Sequence, residues 1–312
     1  MKVLVVAPFD TKGRYKGGSH SIANSLINEK SLLCENELEI IPFDICRVQR
    51  KPGSEGKMNF SNIKNLIKGY FDIVKAVKSN KPDVLYFHTS KGFSMIKDLL
   101  ILNHAKKRTG VKTVLHIHFA DYEKIMTGKT SFDKFILTSL KKNVDRLVLL
   151  STKTRDEFVS KGIERDTTHV VYNFSTLKFT NEEIQAKLTR NSSLRLLFVG
   201  SIGQRKGLFD ILDVLKEIEN DFEITVCGGF ETKEDGLHFT EYEKLYGEKL
   251  KFLGYVDGEE KRRVFLDSDI LLLPSYGEGL PIVIVEALTA GCAILASDVG
   301  AIPEIVTNNS GV

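Results

Sequence analysis

The sequence predicts an α/β protein built of two open, parallel-sheet domains that face a cleft. Three observations carry that expectation. Short apolar runs alternate with segments of helical period, one polar stretch interrupts the alternation at 173–193, and 312 residues are enough for two domains at the usual size of about 100–200 residues each. Strand and helix in strict alternation make a parallel sheet covered on both faces.

In the first domain, 1–175, the runs "VLVVAPF" (3–9), "LEIIPF" (38–43), "DVLYFH" (83–88), "TVLHIH" (113–118), "RLVLLS" (146–151) and "HVVYN" (169–173) read as buried strands. They are short, rich in β-branched residues and bounded by polar or turn residues. Helical patterns fall near 18–32, 60–79, 92–108, 131–143 and 153–161. The polar stretch "NFSTLKFTNEEIQAKLTRNSS" (173–193) has no clean strand pattern and reads as the interdomain connection. Alternation resumes in the second domain, 176–312, with "LRLLFVG" (194–200), "FEITVCG" (222–228), "LKFLGYV" (250–256), "DILLLPS" (269–275) and "AILASDVG" (293–300). Its helices are expected near 206–219, 238–247, 258–266 and 281–290. After "IPEIVTNNSGV" a domain of this kind normally adds further strands and helices. The C-terminal domain therefore reads as truncated and the chain as a fragment, with a minimal domain as the alternative.

Hydrophobic content of 42% and charged content of 27% are ordinary for a soluble globular protein. Cys34, Cys46, Cys227 and Cys292 show no C-x-x-C spacing, which argues against a zinc framework or disulfides and suits a reducing cytosol. "MKVLVVAPFD" lacks the long apolar region and cleavage site of a signal peptide. No stretch approaches the roughly 18 apolar residues of a spanning helix. The expected location is cytoplasmic, with peripheral contact at the inner face of the cell membrane left open. The net charge of +3 hides an asymmetry: residues 1–175 carry 30 Lys and Arg against 18 Asp and Glu, and residues 176–312 carry 14 against 23. The basic half suits an anionic surface or ligand, or is a solvated lysine surface. "SFDKFILTSLKKNVDR" (131–146) mixes Phe132, Phe135, Ile136 and Leu140 with Lys134, Lys141 and Lys142; it fits a membrane surface or packs its apolar stripe on the core.

Ligands of open α/β sheets bind at the carboxyl ends of the strands, so the strand-end loops hold the candidates. In "LLFVGSIGQRKGLFDILDVL" a strand ends at Val199-Gly200, and Arg205-Lys206-Gly207 is expected to open a helix. Free N–H groups and two cations there suit an anion; solvated basic residues are the plain alternative. The stretch matches neither a Walker A loop nor a dinucleotide fingerprint. In "PSYGEGLPIVIVEALTAG" (274–291) Pro281 falls where a first-turn proline is tolerated. The N–H groups of Gly279 and Leu280 are then free to face a ligand. Glu278 lies just outside the helix, and Glu286 lies inside it. Two carboxylates flanking free N–H groups suit a ligand with hydroxyls on either side of a phosphate, as in a nucleotide sugar. Gly17-Gly18, before the first helix, allows close backbone approach to phosphate or makes a flexible turn. His116 and His118 share one face of a strand, with His88 at the end of the neighbouring run. A structural role, a polar contact in the cleft and a metal site all stay open for them, although no carboxylate partner is fixed by spacing and no metal is assigned.

Together these residues resemble the family 4 retaining glycosyltransferases, the group 1 glycosyl transferases, of the GT-B fold with its two Rossmann-like domains. "GSIGQRKG" is similar to the family's glycine-rich [RK]-K-G loop, "FLGYV" to its base-binding strand, and "PSYGEGLPIVIVEALTAGCAILASDVGAIPEIV" to its E-x7-E region. The N-terminal likeness is looser and rests on Gly17-Gly18 and His118. The resemblance implies that Arg205 and Lys206 neutralise the diphosphate beside Gly200, and that Glu286 holds the ribose hydroxyls. It implies that Glu278 bonds the donor sugar, with Gly279 and Leu280 offering N–H groups, and that backbone near Leu253 and Tyr255 holds the base. His118 is expected to contact the donor sugar near the reacting carbon, and Gly17 and Gly18 to shape the phosphate and acceptor side. It further implies a nucleotide-diphosphate sugar as co-substrate and a glycan or polyprenyl-linked acceptor in bacterial surface polysaccharide synthesis. No nucleic-acid partner is expected. No D-x-D stands in a metal-ligand setting, so fixed cations are expected to stabilise the leaving group without a metal, and the leaving phosphate to act as base. A GT-B hydrolase or epimerase, or an inactive nucleotide-sugar-binding fragment, is the alternative reading.

Overall fold

The computed structural model describes residues 1–9, 18–28, 30–45, 60–89, 93–118, 130–190 and 193–312. Gly17 and Cys46, among the residues singled out above, lie outside them. The chain divides into two compact units, Met1–Tyr172 and Asn173–Val312.

Among its described residues the first unit holds six strands: β1 (Lys2–Ala7), β2 (Glu39–Asp44), β3 (Val84–Thr89), β4 (Lys112–Ile117), β5 (Arg146–Leu149) and β6 (Thr168–Val170). All described pairings are parallel, in the order β2-β1-β3-β4-β5-β6. Its helices are α1 (Gly18–Asn28), α2 (Lys30–Glu35), α3 (Phe60–Asn80), α4 (Phe93–Thr109), α5 (Ser131–Asn143) and α6 (Thr152–Ser160). The period of two along β1 sorts its side chains. Leu4 and Val6 pack with Leu85, Phe87, Leu115 and Ile117 against Leu99 of α4 and Ile136 and Leu140 of α5. Val5 and Ala7 turn to the other face, with Ala23 of α1. That two-sided burial explains why these strands read as continuous apolar runs.

The second unit has five parallel strands, β7 (Leu194–Val199), β8 (Phe222–Cys227), β9 (Leu250–Gly254), β10 (Ile270–Leu273) and β11 (Ala293–Ala296), ordered β11-β10-β7-β8-β9. Helices α8 (Leu208–Val214) and α9 (Lys233–Tyr246) cover one face through Leu208, Leu212, Phe239 and Tyr242. Helices α10 (Gly258–Leu266) and α11 (Ile282–Thr289) cover the other through Val264, Phe265, Ile284 and Ala287. The chain ends with α12 (Ile302–Ile305). Successive strands leave β7 in opposite directions, so the sheet reverses between β7 and β10. Ligands of open α/β sheets bind at such a reversal.

Three local expectations are corrected. The polar connection contains a helix, α7 (Asn181–Leu188), opened by a capping box in which Thr180 and Glu183 satisfy each other's backbone N–H groups. Arg205 and Lys206 do not open α8. They belong to a 3-10 turn, Gln204–Lys206, and the left-handed Gly207 caps the helix that follows. Pro281 is the cap of α11 rather than a residue of its first turn. Among the described residues, no helix is long and apolar enough to cross a membrane.

Candidate functional site

The loops that leave β7 and β10 meet at the reversal of the second sheet, and glycines let them meet. A Cβ on Gly207 (φ +68°) would stand 2.2 Å from the Pro274 carbonyl oxygen. The backbone N–H of Tyr276 donates to the Arg205 carbonyl at 3.0 Å. Farther along, a Cβ on Gly300 (φ +62°) would stand 2.1 Å from the Glu278 carbonyl oxygen, and the Ala301 N–H donates to the Gly279 carbonyl at 2.8 Å. The segment 274–280 is thus clamped between two backbone neighbours. Both positions need glycine for conformation and for space.

This clamp sets Lys206 against Glu278. Their side chains, 13% and 10% exposed, form an ion pair. Arg205 lies farther out, with Nη2 3.7 Å from Glu231 Oε1. Gly200 follows β7 directly and donates its N–H to the Cys227 carbonyl at 2.9 Å. Among the described residues nothing accepts the N–H groups of Gly279 and Leu280. Leu280 itself is buried, and its carbonyl accepts from Asn173 Nδ2 at 2.6 Å.

Glu286 projects from the fifth position of α11 and is 6% exposed. One oxygen, Oε1, accepts from Lys261 Nζ of α10 at 2.6 Å. The other, Oε2, is buried and has no partner among the described residues. Burial pushes this carboxyl above the usual glutamate range, and Lys261 pulls in the opposite direction. Leu253 and Tyr255, at the exit of β9, are each 45% exposed. The Gly254 carbonyl between them accepts from the Gly228 N–H at 2.7 Å.

Sequence reading missed several supports of this region. Lys261 is one. Another is Lys187 of α7, a buried side chain whose Nζ donates to the Phe265 carbonyl at 3.1 Å and the Ala290 carbonyl at 2.9 Å, with Cys292 Sγ at 3.0 Å. It meets the last carbonyls of α10 and α11, where helix dipoles favour a cation. Asp267 and Asp269, the acids of "DSD", are paired with Arg190 and Arg195.

In the first unit, Gly18 is the exposed first residue of α1. His118 stands just beyond the carboxyl end of β4, its N–H bonded to the Thr89 carbonyl at 3.4 Å. His88 and His116 are register partners on β3 and β4. The His118 ring lies 4.4 Å from that of His88 and 3.9 Å from that of His116, centroid to centroid. Burial pushes the His118 imidazole down to about 4 and holds those of His88 and His116 well below the ordinary range, so all three are neutral at pH 7. The convergence that sequence spacing left open is therefore present.

Comparison with known proteins places this architecture. A family described as Glycosyltransferase Family 4 matches residues 31–177, and one described as Glycosyl transferases group 1 matches residues 180–312. An uncharacterized 41.2 kDa protein in the cps region of Klebsiella pneumoniae is 26% identical over 94% of this chain and 81% of its own. HepE of Anabaena, solved with UDP, superposes with a TM-score of 0.68 at 17% identity, over 100% of this chain and 85% of that one. Sucrose-phosphate synthase from Thermosynechococcus elongatus superposes with a TM-score of 0.74 at 13% identity, over 100% and 85%. The two parallel-sheet domains are those of the GT-B fold.

Proposed function

This chain belongs to the glycosyltransferases that join a family 4 domain to a group 1 domain, and on that premise we propose that it moves a sugar from a nucleotide-diphosphate sugar to a glycan or lipid-linked acceptor with retained configuration. The observation that carries the reading is Glu286. Its buried carboxylate has one oxygen held by Lys261 and the other without a partner among the described residues. A buried acceptor of this kind needs a donor, and the hydroxyls of a ribose supply two. UDP bound to the structurally similar HepE supports the same assignment.

The remaining roles follow from the chemistry of the leaving group. Departure of a nucleoside diphosphate builds negative charge on its β-phosphate. Lys206, with Arg205 beside it, offers fixed cations at the β7 loop near Gly200, and the N–H groups of Gly279 and Leu280 offer dipoles. Charges already in place stabilise the transition state without reorganisation, so transfer proceeds without a metal. Glu278 exchanges part of its bond to Lys206 for a hydroxyl of the transferred sugar. Backbone near Leu253 and Tyr255 holds the base. The neutral imidazole of His118 contacts the sugar near the reacting carbon, and Gly17 and Gly18 shape the phosphate and acceptor side. The departing phosphate takes the acceptor's proton on the face it leaves, which retains configuration. The relative in the cps region and the basic N-terminal half favour bacterial surface polysaccharide synthesis at the cytoplasmic face of an anionic membrane.

Nucleotide binding tests the reading. Isothermal titration with UDP, ADP and GDP is expected to find at least one that binds. Glu286→Gln should weaken it by about 10–150-fold, the weight of a hydrogen bond to a charged group. The 2′- and 3′-deoxy forms should lose affinity in the parent chain and lose little more in the variant. Equal affinity of Glu286→Gln and parent for the ribonucleotide would remove the ribose assignment.

A further inference from the structure

We propose that His88, His116 and His118 form a three-imidazole binding site for a divalent transition ion of the zinc type. The three side chains lie at the carboxyl ends of neighbouring parallel strands, and one ring nitrogen from each falls within 4.8 Å of the others. Among the described residues these are the His, Cys, Asp or Glu side chains that come together in this way. His88 Nδ1 and Nε2, His116 Nε2 and His118 Nε2 are all buried with no partner among the described residues. Buried polar atoms left without a partner are costly, and one ion would satisfy three of these.

The outer contacts favour the same use. His116 Nδ1 shares a hydrogen bond of 2.7 Å with the Tyr86 hydroxyl. That hydroxyl can accept as well as donate. With Nδ1–H donating to it, the lone pair of Nε2 is left facing the cluster, the arrangement that orients a metal-binding histidine. An imidazole-only donor set suits zinc, cobalt, nickel or copper and not magnesium or calcium. Zinc–nitrogen bonds of about 2.0–2.1 Å in a tetrahedron put ligand nitrogens about 3.4 Å apart. The side chains therefore close inward by rotation on loading. Among the described residues three imidazoles supply the ligands, and a tetrahedral ion takes one more. Loading ties up His118, so the ion acts as an inhibitor of transfer and not as its cofactor. This consequence alone rests on the role proposed above for His118.

Cobalt supplies the direct test, because its visible absorption reports a low-coordinate site. The metal-free full chain is titrated with cobalt and then with zinc, and bound metal is counted by plasma mass spectrometry after desalting. One ion per chain is expected, with intense visible bands that zinc abolishes. His88→Ala and His116→Ala should each lose the bands while keeping the parent's circular dichroism. Tyr86→Phe should weaken binding about 10–100-fold, as loss of an outer partner does. No stoichiometric uptake, or uptake unchanged in His88→Ala and His116→Ala, would overturn the site. Loss of transfer on zinc addition, restored by EDTA, supports the inhibitory consequence. Zinc bound at these histidines with transfer unchanged would uphold the site and remove His118 from the sugar.

Discussion

Lys261→Met is the sharpest perturbation of the donor side. It deletes the one hydrogen-bond partner, among the described residues, of a carboxylate that is 6% exposed. Removing one member of a fully buried pair costs about 3–5 kcal/mol, because the other charge stays behind. Lys261 is 18% exposed, so solvent screening lowers the expected loss to about 2–3 kcal/mol near pH 7.5. Burial already holds Glu286 above the usual range, and without Lys261 it rises further. A raised native value means that the folded chain binds this proton more tightly than the unfolded chain. The penalty is therefore complete above the native value and fades as pH falls toward the unfolded value of about 4.3. The loss should therefore be smaller at pH 5 than at pH 7.5. Adding Glu286→Gln removes the stranded charge, so the double variant should be more stable at neutral pH than Lys261→Met, with a coupling of about 1.5–2 kcal/mol. Urea unfolding followed by circular dichroism measures all four chains at both pH values. A loss of less than about 0.5 kcal/mol at neutral pH, or one equal at the two pH values, would refute the stranded-carboxylate argument.

Three further outcomes follow from the same geometry. Lys206→Ala should lower transfer by about 10²–10³-fold, the usual effect of deleting one preorganised electrostatic group; near-normal turnover would remove the phosphate assignment. Gly300→Ala forces a Cβ onto the Glu278 carbonyl at positive φ and should cost at least about 2 kcal/mol in urea unfolding while weakening nucleotide binding. Unchanged stability would show that segment 274–280 is not clamped there. Lys187→Met keeps the apolar stem but removes the Nζ donor of the Ala290 carbonyl and one of the donors of the Phe265 carbonyl, for an expected loss of about 1–3 kcal/mol; a neutral result would remove α7 as a lock on α10 and α11.

The sheets were legible because their strands are buried on both faces. "VLVVAPF" and "LRLLFVG" carry that burial as uninterrupted apolar runs. The E-x7-E spacing and the [RK]-K-G loop also showed in one dimension, since each lies within one strand-end loop and its helix. What the sequence hid were the partners. Lys206 meets Glu278 across 72 positions, and Lys261 meets Glu286 across 25; only the sheet order brings those loops and helices together. Lys187 was hidden for the same reason, standing 78 and 103 positions from the carbonyls it meets. Helix α7 is different. Its Thr180-x-x-Glu183 capping box stood in plain view, and the polarity of the surrounding stretch obscured it. The break at Arg205-Lys206 was obscured by Gly207, which reads as part of the helix opening until its left-handed φ is known.

The central claim, sugar transfer from a nucleotide-diphosphate sugar without a metal, meets its most direct test in turnover. The chain is incubated with a panel of nucleotide sugars and with glycan and lipid-linked acceptors in excess EDTA, and both products are followed by mass spectrometry. The prediction is an acceptor heavier by one sugar residue for each nucleoside diphosphate released. Release of the diphosphate with the acceptor unchanged, or turnover that appears only when a divalent ion is restored, would contradict it.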